Sequence, residues 1–210
     1  GTLSTDSIYI DVLDPIEGPQ ISFSDYDGIN LCFGDVAPEI GVSALAAGAD
    51  GNWSYTWQQS ETDELWENVQ SSSDPYEAGI LNDTALIQLL ATSTFGCGTF
   101  ASNALQIPVW AEVLPGLIDY SAEETLCYAS EASELLASQA QGGGSTFDVQ
   151  GYATTATATT TIQFAQTLSY SPGVLTDTTT FFVEFTNLNG CGVVNSNAIQ
   201  FSVLPDLETE

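Results

Sequence analysis

Two stretches of the chain repeat each other at a fixed offset: GCGTFASNALQ at residues 96–106 and GCGVVNSNAIQ at residues 190–200. A second pair keeps the same offset, GILNDT at residues 79–84 and GVLTDT at residues 173–178. Collinear matches at one offset are typical of tandem structural repeats. The sequence therefore predicts two copies of a unit of about 95 residues.

The N-terminus resembles the end of a further copy. IYIDVLD at residues 8–14 is similar to IQFSVLP at residues 199–205. This likeness predicts that residues 1–14 are the last strand of a preceding repeat and that the chain is a window on a longer array. The expected domains are then repeat 1 at residues 15–114 and repeat 2 at residues 115–210.

The residue pattern favours short β-strands. Trp53, Tyr55 and Trp57 alternate with polar residues, and residues 154–161 are rich in threonine. Clusters of Gly, Pro, Asn and Asp separate such segments, and only residues 131–140 have a helix-forming composition. About seven strands in about 95 residues predict an all-β fold of tandem Ig-like β-sandwich domains.

The composition excludes several classes of function. The 210 residues include no Lys, Arg, His or Met, against 28 Asp and Glu, and the formal charge is −28. Without cations the chain lacks the usual partners of phosphate and nucleic acid, and without imidazole it lacks the base of serine and cysteine hydrolases. A hydrophobic share of 43% still predicts a folded protein. We therefore expect no enzyme and no nucleic-acid partner.

Four cysteines fall two per repeat, at separations of 65 and 64 residues. The matched spacing predicts one intradomain disulfide in each repeat, Cys32 with Cys97 and Cys127 with Cys191. Closing a loop of that size contributes roughly 4 kcal/mol in the loop-entropy model. Such bonds imply an oxidising compartment. A metal site is the alternative, which needs at least two further ligands in a chain that has no histidine.

The order of motifs in repeat 1 resembles a known family. The motifs are YTWQ at residues 55–58, LWENV at residues 65–69, Tyr76, and the closing Gly-Cys-Gly and Ser-Asn pairs at residues 96–103. They resemble, over residues 20–113, the Ig-like repeats of very large secreted adhesins of Bacteroidota, the SprB-like gliding-motility and cell-surface adhesins. The second repeat has Val149 where we align Trp57. The resemblance implies export to the cell surface and a mechanical or adhesive role.

The aromatic residues of repeat 1 have two interpretations. Trp53, Tyr55, Trp57 and Trp66 could stack on sugar rings. The sequence favours the other interpretation, in which Trp57 is the core tryptophan of a sandwich, packed near the disulfide.

Two further kinds of site are suggested by short motifs. Asp25 and Asp27 stand in a DxDG pattern, which has the shape of a calcium loop but lacks the further Asp or Asn and the Glu of a full EF-hand. A solvated turn is the default interpretation, calcium is the alternative, and no other cofactor is expected. Ser7, Thr84 and Thr178 each follow an aspartate, in a pattern similar to the O-glycosylation signal used by Bacteroidota. An Asp-Thr turn also accounts for the pattern.

Carboxylate pairs are the only catalytic candidates. Glu61, Asp63 and Glu64 form one group, and Glu123 and Glu124 form another. Paired carboxylates can hydrolyse glycosides when burial raises the pKa of one of them. Both groups stand in polar runs that are typical of solvated turns, so neither predicts an enzyme.

The expected function is structural and adhesive. The chain is predicted to be a segment of the stalk or filament of an extracellular, glycosylated bacterial surface adhesin, used in attachment or gliding. Its partners are then neighbouring repeats of the same chain or filament, and a surface polysaccharide is a further candidate. No stretch of 18 apolar residues and no leader-like segment occurs, so neither a membrane span nor a signal peptide is expected. The alternative is a carbohydrate-binding β-sandwich module of a secreted protein.

Overall fold

A computed structural model describes residues 8–61, 65–119, 125–163 and 168–206 of the chain. Contacts divide the chain into two compact units, Gly1–Val109 and Trp110–Glu210. Within the described ranges, every assigned element of secondary structure is a β-strand. Those ranges contain no helix that is long and apolar enough to cross a membrane.

The first unit is built from short strands joined by turns. They are β1 (Asp14–Glu17), β2 (Gln20–Phe23), β3 (Asp35–Val36), β4 (Ile40–Ala44), β5 (Ala47–Ala49), β6 (Trp53–Ser60), β7 (Glu67–Gln70), β8 (Ile80–Leu81), β9 (Ala85–Ser93), β10 (Thr99–Ala101) and β11 (Leu105–Ile107).

The second unit repeats the plan. Its strands are β12 (Ile118–Asp119), β13 (Thr125–Leu126), β14 (Ser130–Glu131), β15 (Leu135–Ala137), β16 (Phe147–Thr154), β17 (Thr159–Ile162), β18 (Ser169–Tyr170), β19 (Val174–Leu175), β20 (Thr179–Asn187), β21 (Val193–Asn195) and β22 (Ile199–Val203).

One antiparallel sheet dominates each unit. In the first unit its order is β10-β9-β6-β7, and β11 also pairs with β9. In the second unit β13 joins the corresponding sheet as a parallel partner of β22, which gives the order β13-β22-β20-β16-β17, with β21 on β20. The facing layer consists of shorter ladders: β2-β4, β1-β5 and β3-β8 in the first unit, and β12-β15-β18 and β14-β19 in the second.

The core of each unit lies between its two layers. Along β9, Ile87 and Leu89 are fully buried and alternate with partly exposed residues, as expected for a strand with one face on a core. They pack with Ile21 and Ile40 of the facing ladder. In the second unit the buried residues of β20 pack in the same way with those of β12 and β15. Two apolar faces that cover each other define a sandwich.

The all-β sandwich prediction is confirmed for both units. The helix-forming stretch at residues 131–140 instead supplies strand β15, because Leu135 is fully buried in the second core and tertiary burial outweighs the weak helix propensity. The assignment of residues 1–14 to a preceding repeat stays a prediction. Residues 1–7 lie outside the described ranges, and residues 8–13 belong to no strand of this chain.

The register of the sheets corrects the alignment of the two repeats. Trp57 pairs with Leu89, and the residue at the same place in the second unit is Gly151, which pairs with Val183. Val149 therefore corresponds to Tyr55, not to Trp57. The volume of the missing indole is supplied in the second unit by three buried phenylalanines on the neighbouring strands, Phe181, Phe185 and Phe201.

The predicted intradomain disulfides are wrong. Cys32 and Cys191 are disulfide-bonded, whereas Cys97 and Cys127 are free and exposed. Each unit thus holds one oxidised and one reduced cysteine. Sequence spacing cannot reveal the reason, which is that the two cysteines of a unit lie beyond opposite ends of its longest strand.

Candidate functional site

The first cysteine of each repeat lies in a tight turn at one end of its unit. In the first unit the backbone N–H of Cys32 donates to Asp35 Oδ2 at 2.9 Å, and Cys32 O accepts from the Asp35 N–H at 3.0 Å. Leu31 N donates to Pro108 O at 2.9 Å, and Leu31 forms a parallel bridge with Val109. The turn is therefore held beside the end of the unit's last strand. We call this region the Cys32 end.

The second unit has the same construction, which we call the Cys127 end. Cys127 O accepts from the Ser130 N–H at 3.2 Å, and Leu204 N donates to Leu126 O at 2.9 Å. Here the pairing with the last strand has become a short parallel ladder, β13 with β22. The thiol of Cys127 is exposed on this ladder's edge.

A cavity of about 390 Å³ opens beside the Cys127 thiol. It is lined by Cys127, Tyr128, Leu204, Pro205 and Asp206. Tyr128 is 43% exposed and Leu204 is 51% exposed, so the wall is largely apolar and open to solvent. Exposed apolar surface around a concave site is typical of a surface that binds a partner.

The second cysteine of each repeat occupies the tip of a β-hairpin. Between β9 and β10, Ser93 N donates to Gly98 O at 3.0 Å; between β20 and β21, Asn187 N donates to Gly192 O at 2.9 Å. The glycines on both sides of each cysteine have positive φ values, from +79° to +124°. Only glycine adopts such values readily, which explains the repeated Gly-Cys-Gly motif. We call these turns the Cys97 hairpin and the Cys191 hairpin.

Asparagine side chains fix the Cys191 hairpin. Asn187 is 3% exposed; its Nδ2 donates to Gly143 O at 2.9 Å, and its Oδ1 accepts from the Cys191 N–H at 3.2 Å. Asn189 Nδ2 donates to the same Gly143 oxygen at 2.8 Å. These hydrogen bonds hold the backbone at Cys191 in place independently of the disulfide bond of its sulfur.

The Cys97 hairpin has a different support. Its neighbouring loop contains Asn52, whose Nδ2 donates to Asp50 Oδ2 at 2.8 Å, and that hydrogen bond holds the pKa of Asp50 below its usual value. Thr94 N donates to Asn52 O at 3.1 Å. Phe95, two residues before Cys97, is 74% exposed. This hairpin therefore presents a thiol and an aromatic ring to solvent.

The two cysteines of a unit lie too far apart to form a disulfide with each other. In the first unit the Cys32 end lies beside Thr84, immediately before β9, and the Cys97 hairpin follows β9. The nine residues of β9 span about 27 Å. A disulfide requires Cα atoms roughly 4.4–6.8 Å apart. Strand β20 separates the two cysteines of the second unit in the same way.

The repeated Ser-Asn pair joins the two layers of each sandwich. Asn103 Oδ1 accepts from the Ile21 N–H at 2.9 Å and Nδ2 donates to Ile21 O at 3.0 Å; Asn197 makes the same pair of bonds to Ile118 at 2.7 and 3.0 Å. The asparagine side chain thus pairs with the facing strand as a peptide unit would. Ser102 Oγ accepts from the Leu89 N–H at 2.9 Å. Sequence comparison marked these residues as repeated but gave no sign of this role.

The candidate glycosylation residues take part in the same framework. Thr84 Oγ1 accepts from the Val109 N–H at 3.1 Å, and Thr178 Oγ1 accepts from the Val203 N–H at 3.0 Å. Thr84 is half-buried and Thr178 is exposed. Glycosylation of these two residues stays a prediction, and Ser7 lies outside the described ranges.

The aromatic residues of the first unit are divided between core and surface. Trp57 is fully buried, stacks on Tyr76 with ring centroids 5.6 Å apart, and donates from Nε1 to Asp74 O at 2.9 Å. Tyr55 is half-buried, and its hydroxyl accepts from the Ala46 N–H at 3.1 Å. Trp53 and Trp66 are also half-buried. Because Trp57 has no exposed face, the four residues do not form one continuous aromatic platform on the surface.

The acidic candidates are dispersed. Asp25 and Asp27 stand in an exposed loop, where Asp27 Oδ1 accepts from the Ile29 N–H at 3.1 Å. Among the described residues, no group of three or more His, Cys, Asp or Glu could hold a metal ion. Glu61 and Glu67 line an open cavity of about 440 Å³ with Leu65 and Val69. Four other carboxylates that the sequence suggested, Asp63, Glu64, Glu123 and Glu124, lie outside the described ranges.

Comparison with known proteins gives a family for part of the chain only. A family described as a domain of unknown function (DUF8696) matches residues 118–205, most of the second unit. No curated protein matches the chain.

Two solved structures illustrate the distant likenesses. The three N-terminal domains of the highly immunogenic outer capsid protein Hoc of bacteriophage RB49 are 10% identical, with a TM-score of 0.33; the match covers 89% of this chain and 58% of that one. The FN1–FN3 domains of chicken CNTN1 are 14% identical, with a TM-score of 0.27 and coverages of 87% and 66%. The chain thus spans less than two thirds of either structure, and at these TM-scores neither bears on function.

Proposed function

We propose that this chain is a structural segment of an extracellular repeat protein, the stalk or filament of a bacterial surface adhesin that serves attachment or gliding. The observation that supports it most is how the two units use their repeated residues. The Gly-Cys-Gly, Ser-Asn and Asp-Thr motifs recur at one offset, and in both units they make the same turns and backbone hydrogen bonds. Residues retained in both copies thus serve the framework of the sandwich.

The chemistry of the chain supports the same proposal. Oxidised cysteines accord with an oxidising compartment outside the cytoplasm. A charge of −28 without a single cationic side chain gives a strongly acidic surface, which favours solubility and opposes non-specific association. The role of such a segment is to carry load and to hold an adhesive part at a distance from the cell.

Stretching single molecules of the 210-residue chain tests the proposal. Under reducing conditions we expect two discrete unfolding events, each releasing roughly 30 nm of chain, because each unit of about 95 residues has its own core. Isolated substitution of Trp57 by alanine should remove or weaken one event and leave the other, because only the first unit contains that indole. A smooth extension without discrete events would contradict a load-bearing role.

A carbohydrate-binding screen tests the alternative function. We expect no binding of soluble or insoluble polysaccharides by the isolated chain. Saturable binding that is lost in the Trp53→Ala variant, with the fold intact by circular dichroism, would replace the structural proposal with a carbohydrate-binding module. Trp53 is the appropriate probe because it is partly exposed, whereas substitution of Trp57 would disturb the core.

A further inference from the structure

The four cysteines are of two types, a turn cysteine and a hairpin cysteine in each unit, and the two units differ in which type is oxidised. The turn cysteine is oxidised in the first unit (Cys32) and free in the second (Cys127). The hairpin cysteine is free in the first unit (Cys97) and oxidised in the second (Cys191). One cysteine of each type is therefore bonded, and one of each type is exposed and reduced.

We propose that Cys97 and Cys127 are docking sites for further copies of the repeat, and that each forms a disulfide with a cysteine of the other type. Cys127 would bond the hairpin cysteine of one copy, and Cys97 would bond the turn cysteine of another. This inference rests on the repeat-array function proposed above and names its partner. A rule that pairs unlike ends is head-to-tail, and such contacts generate open chains and not closed dimers.

The geometry within each unit excludes a partner in the same unit. A turn cysteine cannot reach the hairpin cysteine of its own unit, because a nine-residue strand lies between them. Its partner must therefore come from another unit. The turn and hairpin cysteines also occupy opposite ends of the sandwich, so the free thiol of the first unit and that of the second lie at unlike ends of their units.

The Cys127 end carries a receiving surface beside its thiol. The cavity of about 390 Å³ places the exposed apolar faces of Tyr128 and Leu204 next to the Cys127 sulfur. The Cys97 hairpin carries the matching elements, a free thiol and the exposed ring of Phe95. The Cys97 hairpin of a second copy would thus place the Phe95 ring against the apolar cavity and the Cys97 thiol beside the Cys127 thiol.

The bond is made by ordinary thiol–disulfide exchange. Two thiols give up two protons and two electrons, and a disulfide of low molecular weight or of an oxidoreductase accepts them. With oxidised glutathione, the Cys127 and Cys97 thiols yield one interchain disulfide and two molecules of reduced glutathione. No other oxidant is required.

Two single variants of the full chain test the pairing rule. Cys97→Ser retains only the Cys127 thiol, and Cys127→Ser retains only the Cys97 thiol. The two proteins are mixed in oxidised glutathione at 0.5 M NaCl, which screens the repulsion between acidic chains, and then alkylated. Peptides are mapped by mass spectrometry after cleavage at acidic residues, since the chain offers trypsin no site.

We expect the mixed dimer, linked from Cys97 to Cys127, to exceed both symmetric dimers by at least about tenfold, because complementary surfaces raise the effective concentration of the correct thiol pair. The wild-type chain should form a ladder of multimers that reductant dissolves. As a matched control, Ser71→Cys in a chain that lacks Cys97 and Cys127 presents an exposed thiol elsewhere on the first unit. This thiol should cross-link to Cys127 far less than Cys97 does.

Two results would overturn the proposal. One is a statistical mixture in which symmetric dimers form as readily as the mixed dimer, and the other is a Ser71→Cys cross-link as efficient as that of Cys97. Neither result bears on the load-bearing function, because the stretching experiment is performed on reduced chains. If the stretching experiment shows no discrete unfolding events but the cross-linking succeeds, the chain assembles with its copies and does not bear load.

Discussion

At the scale of single residues, the asparagine of the Ser-Asn pair is the strongest test of how a unit is held together. Asn197 satisfies both backbone groups of Ile118 on the facing layer. Replacing it by alanine leaves an N–H and a C=O without their partner, and we expect the free energy of unfolding of the second unit to fall by about 1–2 kcal/mol. Urea titration followed by intrinsic fluorescence and circular dichroism measures the change. The nearby exposed Asn195→Ala is the control and should be close to neutral; equal losses in both variants would contradict the assigned role.

A second test at this scale uses a turn position at which the first repeat has glycine and the second has alanine. Gly34 has φ +84°, and the corresponding Ala129 has φ +56°. An L-residue in this region is strained by roughly 1 kcal/mol. We expect Ala129→Gly to stabilise the second unit by about 0.5–1 kcal/mol and Gly34→Ala to destabilise the first by a similar amount. An added Cβ at Gly34 meets no atom within 4 Å, so backbone strain is the only cost of that substitution.

The control for this pair is Gly41→Ala. Gly41 lies within strand β4 at an ordinary φ, and an added Cβ there makes only a normal contact with Ser24 at 3.7 Å. The same chemical change should be neutral or slightly stabilising, because alanine restricts the unfolded chain. Thermal melts of the three variants compare the effects. A loss at Gly41 as large as that at Gly34 would show that backbone strain is not the cause.

At the scale of elements, Tyr76 connects the two layers of the first unit. It forms an antiparallel bridge with Ile40, and its hydroxyl donates to Gln59 Oε1 at 2.8 Å. Burial raises the pKa of Tyr76. The folded state therefore retains the phenolic proton more strongly than the unfolded state does. The contribution of Tyr76 to stability should therefore be constant below about pH 10 and should be lost as the pH rises above the tyrosine pKa of the unfolded chain.

The Tyr76→Phe variant isolates this contribution. It should lose about 1 kcal/mol at pH 7, from the missing hydrogen bond, and should lose less than the wild type between pH 9 and pH 11. Urea midpoints across this range measure the difference, with the exposed Tyr128→Phe as control. Parallel alkaline losses in the wild type and the Tyr76→Phe variant would contradict the assignment. Burial also raises the pKa of Tyr26, so part of the alkaline loss should persist.

Strand patterns and turn residues were predictable from the sequence at this scale, whereas the exchange of core residues was not. Alternation identified the strand of Trp57, and clusters of Gly, Pro, Asn and Asp marked the turns between strands. The counterpart of Trp57 was misaligned because Gly151 has no side chain to mark it. Its lost volume is supplied on neighbouring strands: the first unit has Ile87, Ala91 and Ile107 where the second has Phe181, Phe185 and Phe201. Compensation between strands leaves no local signal in the sequence, because each of these positions only exchanges one apolar residue for another.

At the scale of the whole molecule, the cysteines show why spacing is a poor guide to pairing. Separations of 65 and 64 residues suggested two disulfide loops of nearly equal size. The spacing is nearly equal only because the whole unit is repeated. We expect the native chain, denatured without reductant, to take up two alkyl groups, at Cys97 and Cys127, and four after reduction. Intact-mass measurement counts the groups, and peptide mapping locates them. Complete protection of all four thiols in monomeric chain would support the intradomain pairing instead.

The absence of cations makes the response to salt the broadest test of the molecule. With 28 carboxylates and no Lys, Arg or His, exposed acidic groups of the folded chain have no cationic side chain to pair with, and compaction brings like charges together. Raising NaCl from 0.01 M to 1 M shortens the Debye length from about 30 Å to about 3 Å. A gain of about 1 kcal/mol per unit corresponds to a Tm rise of about 4–8 °C. Calorimetry measures this rise, and sucrose at equal osmolality separates charge screening from general exclusion of solutes. A Tm that is flat in salt would mean that the acidic side chains lie too far apart, in the folded units, for their repulsion to affect folding.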